Sequence, residues 1–177
     1  MPADAVDLKE FVREIPDFPK PGIVFKDITP LLLNVAALDA AIEGLAEFGR
    51  QAEIDLVVAA EARGFIFGAA LARELGAGFV PARKPGKLPY QTISAKYALE
   101  YGFDSLELHA DALSGGARVL IHDDLLATGG TARALCDLVA GTGAEVVGCA
   151  FLVELGFLKG RARLEPYRVD SLIEYTS

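Results

Sequence analysis

Residues 118–131, which read RVLIHDDLLATGGT, constrain the fold of this chain more than any other stretch. An apolar run at residues 119–121 leads into two adjacent acids, and a Thr-Gly-Gly-Thr turn precedes a helical run over residues 132–139. This order predicts a strand, a turn and a helix N-terminus. Glycines let backbone N–H groups approach an anion, and the positive end of a helix favours negative charge. The turn is therefore predicted to bind a phosphate group.

The two acids, Asp123 and Asp124, are unusual neighbours for a phosphate because carboxylates repel it. Their presence is explained if the ligand also carries hydroxyl groups or a metal ion, and a phosphorylated sugar has both needs. The alternative is a strand–turn–helix connection that binds nothing. Two acids followed by Thr-Gly-Gly-Thr form a more specific pattern than a lone glycine pair, so the pattern favours a sugar-phosphate site, subject to its structural context.

Length and charge restrict the class of protein. A chain of 177 residues is expected to form a single domain with a sizeable core. Its net charge of −8 argues against nucleic-acid or membrane-surface partners, and no apolar run reaches the length of a membrane span. The N-terminus lacks the features of a targeting peptide, so a cytoplasmic location is expected. Cys136 and Cys149 show no metal-ligand spacing and are expected to be buried thiols.

Apolar runs alternate with helical patterns along the chain. This alternation predicts an α/β fold, with a doubly wound, mostly parallel sheet flanked by helices. The predicted strands are residues 55–60, 78–82, 95–101, 105–109, 119–121, 144–154 and 168–175. The predicted helices are residues 4–14, 36–50, 132–139 and a run that ends at Glu74, and residues 85–94 are expected to form a loop. Right-handed crossovers would place the loops after Ala60, Ala82 and Asp124 at one sheet edge.

Two further groups of cations follow predicted strands. Arg63 lies in a turn at residues 61–65, before a helix, and this turn is as consistent with a second anion site as with a surface arginine beside a tight bend. Arg83, Lys84 and Lys87 lie within five residues of one another. Such a cluster is more often a solvated basic turn, although its position after a strand favours a role in binding a charged group.

In combination, these segments resemble the type I phosphoribosyltransferases, and among them the adenine-specific members. The resemblance covers roughly residues 15–153 and rests on PDFPKPGIVFKDITPLL, EARGFIFG, FVPARKPGKLP, LEYG and DDLLATGGT. It implies the type I phosphoribosyltransferase fold, with about residues 1–30 forming a hood over the base. It also implies transfer of the 5-phosphoribosyl group from phosphoribosyl pyrophosphate to adenine, giving AMP and pyrophosphate. A homodimer is implied, as is Mg²⁺ carried by the substrate pyrophosphate rather than by a protein metal site.

The resemblance assigns one set of residues to the phosphorylated sugar. Asp123 and Asp124 would hold the ribose hydroxyls. The residues implied for the 5′-phosphate are Ala127, Thr128, Gly129, Gly130 and Thr131. The cations implied for the pyrophosphate, some of them lent across the dimer, are Arg63, Arg83, Lys84 and Lys87. A non-proline cis peptide is implied within residues 61–63.

A second set is implied for the base. Phe25 and Leu125 would sandwich adenine, while the backbone around Val24 and Lys26 reads its edge. The proton handler near the purine N7 would be Glu100, and Tyr101 lies in the closing loop region. Taken alone, a phenylalanine is more often a core residue and a glutamate more often a surface acid, so the combination of residues carries the assignment.

Three residues depart from the family pattern, namely Lys26, Tyr90 and His122. Lys26 replaces a frequent arginine, which matters little if only the backbone reads adenine. Tyr90 follows the cationic turn and could alter loop closure. His122 replaces an aliphatic residue in a buried strand and is expected to be a hydrogen-bonded core histidine.

Three other functions compete with adenine transfer. The first is specificity for another base, such as xanthine or orotate, on the same scaffold. The second is a non-enzymatic sensor of phosphoribosyl pyrophosphate, which would usually carry a DNA-binding extension or a basic surface. The third is a Rossmann nucleotide binder, but the chain lacks the G-x-G-x-x-G pattern after its first predicted buried strand.

Overall fold

The computed structural model describes residues 6–98 and 103–177 of the chain. Its strands are β1 (Arg13–Pro16), β2 (Val24–Asp27), β3 (Leu56–Ala60), β4 (Gly78–Ala82), β5 (Thr92–Ala98), β6 (Phe103–His109), β7 (Arg118–Leu126), β8 (Glu145–Leu155) and β9 (Val169–Tyr175). Its α-helices are α1 (Thr29–Leu33), α2 (Val35–Arg50), α3 (Gly64–Leu75), α4 (Gly130–Gly141) and α5 (Gly160–Arg163). Short 3₁₀ helices occupy Leu8–Phe11 and Gly156–Leu158.

A five-stranded parallel sheet in the order β4-β3-β7-β8-β9 forms the centre of the fold. Successive side chains of a strand point to opposite faces, so each buried strand contributes to two cores. In β7, for example, Ile121 packs with α4 and the β5–β6 hairpin, whereas Leu120 packs with helices α1 to α3. The predicted doubly wound α/β fold with helices on both faces is confirmed.

The strand order reverses between β3 and β7. From β3 the chain passes through α3 to the outer strand β4, and from β7 it passes through α4 to β8 on the other side. The two helices cover opposite faces of the sheet. Such a switch point opens a crevice at the carboxyl ends of the strands, which is where ligands bind in open α/β sheets. The turns after β3, β4 and β7 meet at this edge, as predicted.

The N-terminal segment differs from its prediction as a helix over residues 4–14. Where this segment is described, it forms the 3₁₀ turn Leu8–Phe11, capped by Asp7, and then strand β1. Apolar residues at helical spacing favoured a helix, but β1 pairs with β2 in an antiparallel ladder, a tertiary contact that overrides the local helical preference. The predicted loop at residues 85–94 is also shorter than expected, because β5 begins at Thr92. No helix in the described segments is long and apolar enough to cross a bilayer.

Candidate active site

The predicted phosphate turn lies between β7 and α4. Gly129 precedes the helix with a φ of 79°, a left-handed conformation that favours glycine. The turn encloses a small cavity of about 70 Å³. The residues that line it are Asp123, Leu125, Leu126, Ala127, Thr128, Gly129, Gly130, Thr131 and Ala132. The structure therefore brings the predicted phosphate residues together with one of the two acids.

The acids Asp123 and Asp124 lie inside β7 rather than after it. Pairing of β7 with β3 ends at His122, whereas pairing with β8 continues past the acids, so they emerge where the sheet splits at the switch point. The Asp124 side chain is only 7% exposed. Burial raises the pKa of Asp123 well above its usual range, and the neighbouring Asp124 carboxylate raises it further. A buried and a partly buried acid in contact favour a ligand that supplies hydroxyl donors or positive charge.

Arg63 lies directly before α3 and faces the acids. Its Nε is 2.9 Å from Oδ2 of Asp124. Burial raises the pKa of Asp124, and the Arg63 guanidinium opposes this rise by stabilising the carboxylate. The peptide between Glu61 and Ala62 is cis, as predicted for residues 61–63. The turn after β3 thus brings a cation to the acids that the sequence assigned to the ribose.

The three cations after β4 differ in their surroundings. The Arg83 Nε pairs with Oε2 of Glu61 at 2.9 Å, and its Nη1 donates to the Lys87 carbonyl at 3.0 Å. Lys84 pairs with Asp104 of β6. The Lys87 residue is exposed. Two of the three predicted pyrophosphate cations therefore hold carboxylate partners in the free protein, while Arg83 links the turns after β3 and β4.

The predicted base-binding strand β2 lies beside this site. The Arg63 guanidinium is 5.2 Å from the ring centroid of Phe25, so the predicted stacking residue and the predicted ribose acids share one cation. The Lys26 side chain points to other partners, because it pairs with Glu14 and its Nζ lies 3.9 Å from the ring centroid of Tyr175.

The three other residues predicted for the base region are Leu125, Glu100 and Tyr101. Leu125 is partly buried directly after Asp124 and packs on the core that contains helices α1 to α3. Glu100 and Tyr101 lie outside the described residues.

Sequence reasoning missed the partners of the cations and the support of the turn. Glu61 and Asp104 were not singled out as ion partners, because an acid about twenty residues from a cation carries no local signal. Gly160 was also missed, although it contacts the phosphate turn. In the described ranges, no group of three or more His, Cys, Asp and Glu side chains is arranged to hold a metal ion.

His122 is fully buried beside the site. Its Nδ1 lies 2.9 Å from the Ala150 carbonyl, while its Nε2 has no hydrogen-bond partner. This confirms the predicted hydrogen-bonded core histidine. Burial lowers the pKa of His122 from 6.5 to about 4, which the hydrogen bond to Ala150 only partly offsets. The predicted buried thiols are also confirmed, since Cys136 and Cys149 are both fully buried.

The lowered pKa of His122 predicts a pH-dependent stability. As the pH falls, the His122 imidazole is protonated at a higher pH in the unfolded chain than in the folded protein. The contribution of His122 to stability therefore falls as the pH falls from 6.5 to about 4. Between about pH 7 and about pH 5, wild type should lose about 2 kcal/mol more unfolding free energy than His122→Leu. The raised pKa of Asp123 acts in the opposite direction, so the difference between the two proteins isolates the histidine. Urea unfolding at both pH values measures it, and equal losses would contradict the assignment.

The amino-acid sequence is similar to known phosphoribosyltransferases over nearly its whole length. The phosphoribosyl transferase domain family matches residues 32–176. The adenine phosphoribosyltransferase of Thermotoga maritima is 60% identical over 170 residues, which cover 96% of this chain and 98% of that protein. The corresponding protein of Rubrobacter xylanophilus is 58% identical over 169 residues, covering 95% of this chain and 91% of its own length.

Solved structures agree with these relatives in fold. The adenine phosphoribosyltransferase of Thermoanaerobacter pseudethanolicus superposes with a TM-score of 0.92 at 56% identity, covering 95% of this chain and 98% of that one. The Saccharomyces cerevisiae enzyme, complexed with an imino-altritol bisphosphate and adenine, gives a TM-score of 0.85 at 40% identity, covering 94% and 95%. The similarity thus extends over the sheet, the turns at its edge and the N-terminal strands.

Proposed function

The chain belongs to the adenine phosphoribosyltransferase family, and from this membership we propose how its own residues perform the transfer. It is an enzyme that transfers the 5-phosphoribosyl group from phosphoribosyl pyrophosphate to adenine, giving AMP and pyrophosphate. The observation that carries the proposal is the juxtaposition of two adjacent acids, Asp124 buried and Asp123 partly buried, and a glycine turn at the switch point of the sheet. The direct test follows AMP formation from adenine and phosphoribosyl pyrophosphate by the purified protein.

We assign the sugar to the acids and the turn. A purine nitrogen attacks C1 of the ribose, the new C–N bond forms, and the bond from C1 to the pyrophosphate oxygen breaks. Asp123 and Asp124 hold the ribose hydroxyls and place negative charge beside the cationic sugar that develops. Backbone N–H groups of residues 127–131 hold the 5′-phosphate, as glycine turns at helix N-termini do. Fixed groups of this kind act mainly by positioning the reactants and by preorganised charge.

The leaving pyrophosphate is assigned to Arg63, Arg83, Lys84 and Lys87. Ion pairs support this assignment, because they hold Arg63, Arg83 and Lys84 at the site edge. An incoming pyrophosphate competes with Asp124 for Arg63 and with Asp104 for Lys84. Charge-assisted bonds to phosphate oxygens then replace bonds to carboxylates.

The base is assigned to strand β2, to Leu125 and to Glu100. Phe25 stacks on one face of adenine and Leu125 covers the other, while the backbone of Val24 and Lys26 reads its edge. The engagement of the Lys26 side chain with Glu14 and Tyr175 supports reading by backbone alone. Glu100 handles the proton near N7, and Tyr101 belongs to the segment that closes over the substrates. Residues 1–30 act as the hood of a single catalytic domain.

The donor set at the acids fits a magnesium ion that arrives with the substrate. Mg²⁺ prefers oxygen ligands and is usually held by one or two carboxylates together with substrate phosphates. Asp123 and Asp124 provide such carboxylates beside the turn. When bound, the ion neutralises pyrophosphate charge and acts as a Lewis acid.

We therefore expect turnover to depend on added Mg²⁺ without any effect of the metal on folding. Chelation should lower the rate at least about tenfold, because the leaving pyrophosphate then lacks charge neutralisation. Excess Mg²⁺ should restore the rate, and the melting temperature should stay the same throughout. Full activity after thorough chelation would contradict this part of the proposal.

We also propose that the enzyme is a cytoplasmic homodimer. Exposed apolar side chains support the dimer, since Leu33 is 80% and Val35 is 74% exposed where α1 meets α2. Contiguous exposed apolar surface marks interaction sites, and these two side chains are only two positions apart in the chain. Sedimentation at assay concentrations should give about twice the chain mass of 18.8 kDa. A monomer that retains full activity would count against the dimer.

A further inference from the structure

The segment between β8 and β9 folds back against the phosphate turn. A Cβ atom added at Gly129 would lie 2.6 Å from the Gly160 carbonyl oxygen, and one added at Gly160 would lie 3.0 Å from the Gly129 nitrogen. The Ala127 carbonyl is in the path of the same added atom at Gly160. The two backbones therefore touch with no space for a single methyl group.

An ion pair fixes Gly160 from its C-terminal side. Arg161 places its Nε 3.1 Å from Oε1 of Glu154, and its Nη2 pairs with the second oxygen. Ser171 donates to the same carboxylate at 2.6 Å. Glu154 is only 3% exposed and lies opposite Leu126 in the β7–β8 register, directly before the phosphate turn. A buried carboxylate with this many partners is held rigidly, and it transmits that rigidity to Arg161.

A second arginine, Arg133, binds the segment between β8 and β9 at Glu165, beyond Gly160 and Arg161 in the chain. Arg133 lies in the first turn of α4, and its Nη1 donates to the Glu165 carbonyl at 2.9 Å. The backbone N–H of Arg133 donates to the Gly129 carbonyl at 2.9 Å, so Arg133 belongs to the helical turn that begins at Gly129, and its side chain links that turn to Glu165. Gly160 is thus held between two fixed elements rather than lying loosely against the surface.

We propose that Gly160 is a positioning residue for the 5′-phosphate, and that the Glu154–Arg161 pair holds it in place. The backbone of Gly160 closes the space behind Ala127 and Gly129, which fixes the direction of the N–H groups that face the ligand. The inference rests on the proposed 5′-phosphate site. The atoms that an added methyl group at Gly160 would meet first belong to Ala127 and Gly129 of the phosphate turn, so a defect here alters use of phosphoribosyl pyrophosphate and leaves adenine binding unchanged.

The test compares two variants that disturb the support with one that does not. Gly160→Ala inserts a methyl group between the backbones, and Arg161→Gln removes the ion pair without adding bulk. Each should raise the KM for phosphoribosyl pyrophosphate on the order of 10- to 100-fold, with the KM for adenine within about twofold of wild type. Arg161→Lys should fall between Arg161→Gln and wild type. Arg163→Gln, an exposed change in the same short helix, should alter neither KM.

The outcomes separate this inference from the assignment on which it rests. Thr131→Val removes a hydroxyl of the turn itself, so it should also raise the KM for phosphoribosyl pyrophosphate. If Thr131→Val does so while Arg161→Gln and Gly160→Ala do not, the phosphate site stands and the inference is overturned. If all three leave this KM unchanged, both are overturned. An equal rise in KM for both substrates, or a fall in kcat with both KM values unchanged, would show a general structural role. Either result would overturn the positioning role.

Discussion

Replacing both site acids, as Asp123→Asn with Asp124→Asn, should lower kcat/KM for phosphoribosyl pyrophosphate on the order of 10³-fold or more while the protein stays folded. Asp124 is buried and Asp123 is partly buried within β7, beside the phosphate turn, where they would hold the ribose hydroxyls. Asparagine keeps their shape but removes the negative charge that stabilises a cationic sugar. It also removes the cost of burying a charge and the repulsion from Asp124, which together raise the pKa of Asp123, so folding should not suffer.

The control for this result is an acid outside the site. Asp111 is exposed in the turn after β6, and Asp111→Asn should leave both turnover and stability near wild type. Circular dichroism and thermal melting establish folding of each variant, and initial rates at saturating adenine give the loss of activity. Near-normal turnover in a folded double variant would remove the ribose-binding role of the acids.

The sequence predicted the parts of the site that are local in the chain. Strand β7, the turn and α4 are consecutive, so an apolar run, two acids and a glycine pair were enough to identify them. The prediction of a helix in the N-terminal segment was wrong because β1 forms by pairing with β2. The apolar spacing of residues 8–15 carries no information about that partner strand. The spacing of apolar residues within one segment does not reveal a strand that forms only by pairing with another segment.

Contacts between segments that are distant in the chain could not be predicted from the sequence for a related reason. Gly160 meets Gly129 only because β8 and β9 bring the intervening chain back to the turn. The partners of Lys84 and Arg83 are likewise set by the order of the strands. The location of the candidate site was therefore predictable from a motif, whereas the groups that contact and support it depend on topology.

The second large effect concerns the base. A 6-oxo purine such as hypoxanthine differs from adenine at two edge positions, since the amino donor becomes a carbonyl and the N1 acceptor becomes a donor. A backbone C=O and N–H that suit adenine are then opposed by the wrong partners. Each buried mismatch costs about 1–3 kcal/mol, so two should give discrimination on the order of 10²- to 10⁴-fold.

Variants of β2 should separate stacking from edge reading. Lys26→Arg should keep the preference for adenine, because the Lys26 side chain is directed to Glu14 and Tyr175. Phe25→Ala should lower kcat/KM for adenine about tenfold through lost stacking area, without making hypoxanthine a better substrate. Kinetics of both bases with each variant measure these effects. A switch of preference in Lys26→Arg would show that the side chain, not the backbone, chooses the base.

The most direct measurement is nucleotide formation by the wild-type protein from a panel of bases. Adenine, hypoxanthine, guanine, xanthine and orotate are each supplied with phosphoribosyl pyrophosphate and Mg²⁺, and kcat/KM is determined for each base. The account predicts AMP and pyrophosphate in equal amounts from adenine, with kcat/KM exceeding that of hypoxanthine by about 10²- to 10⁴-fold. Use of hypoxanthine or another base as well as adenine would contradict it.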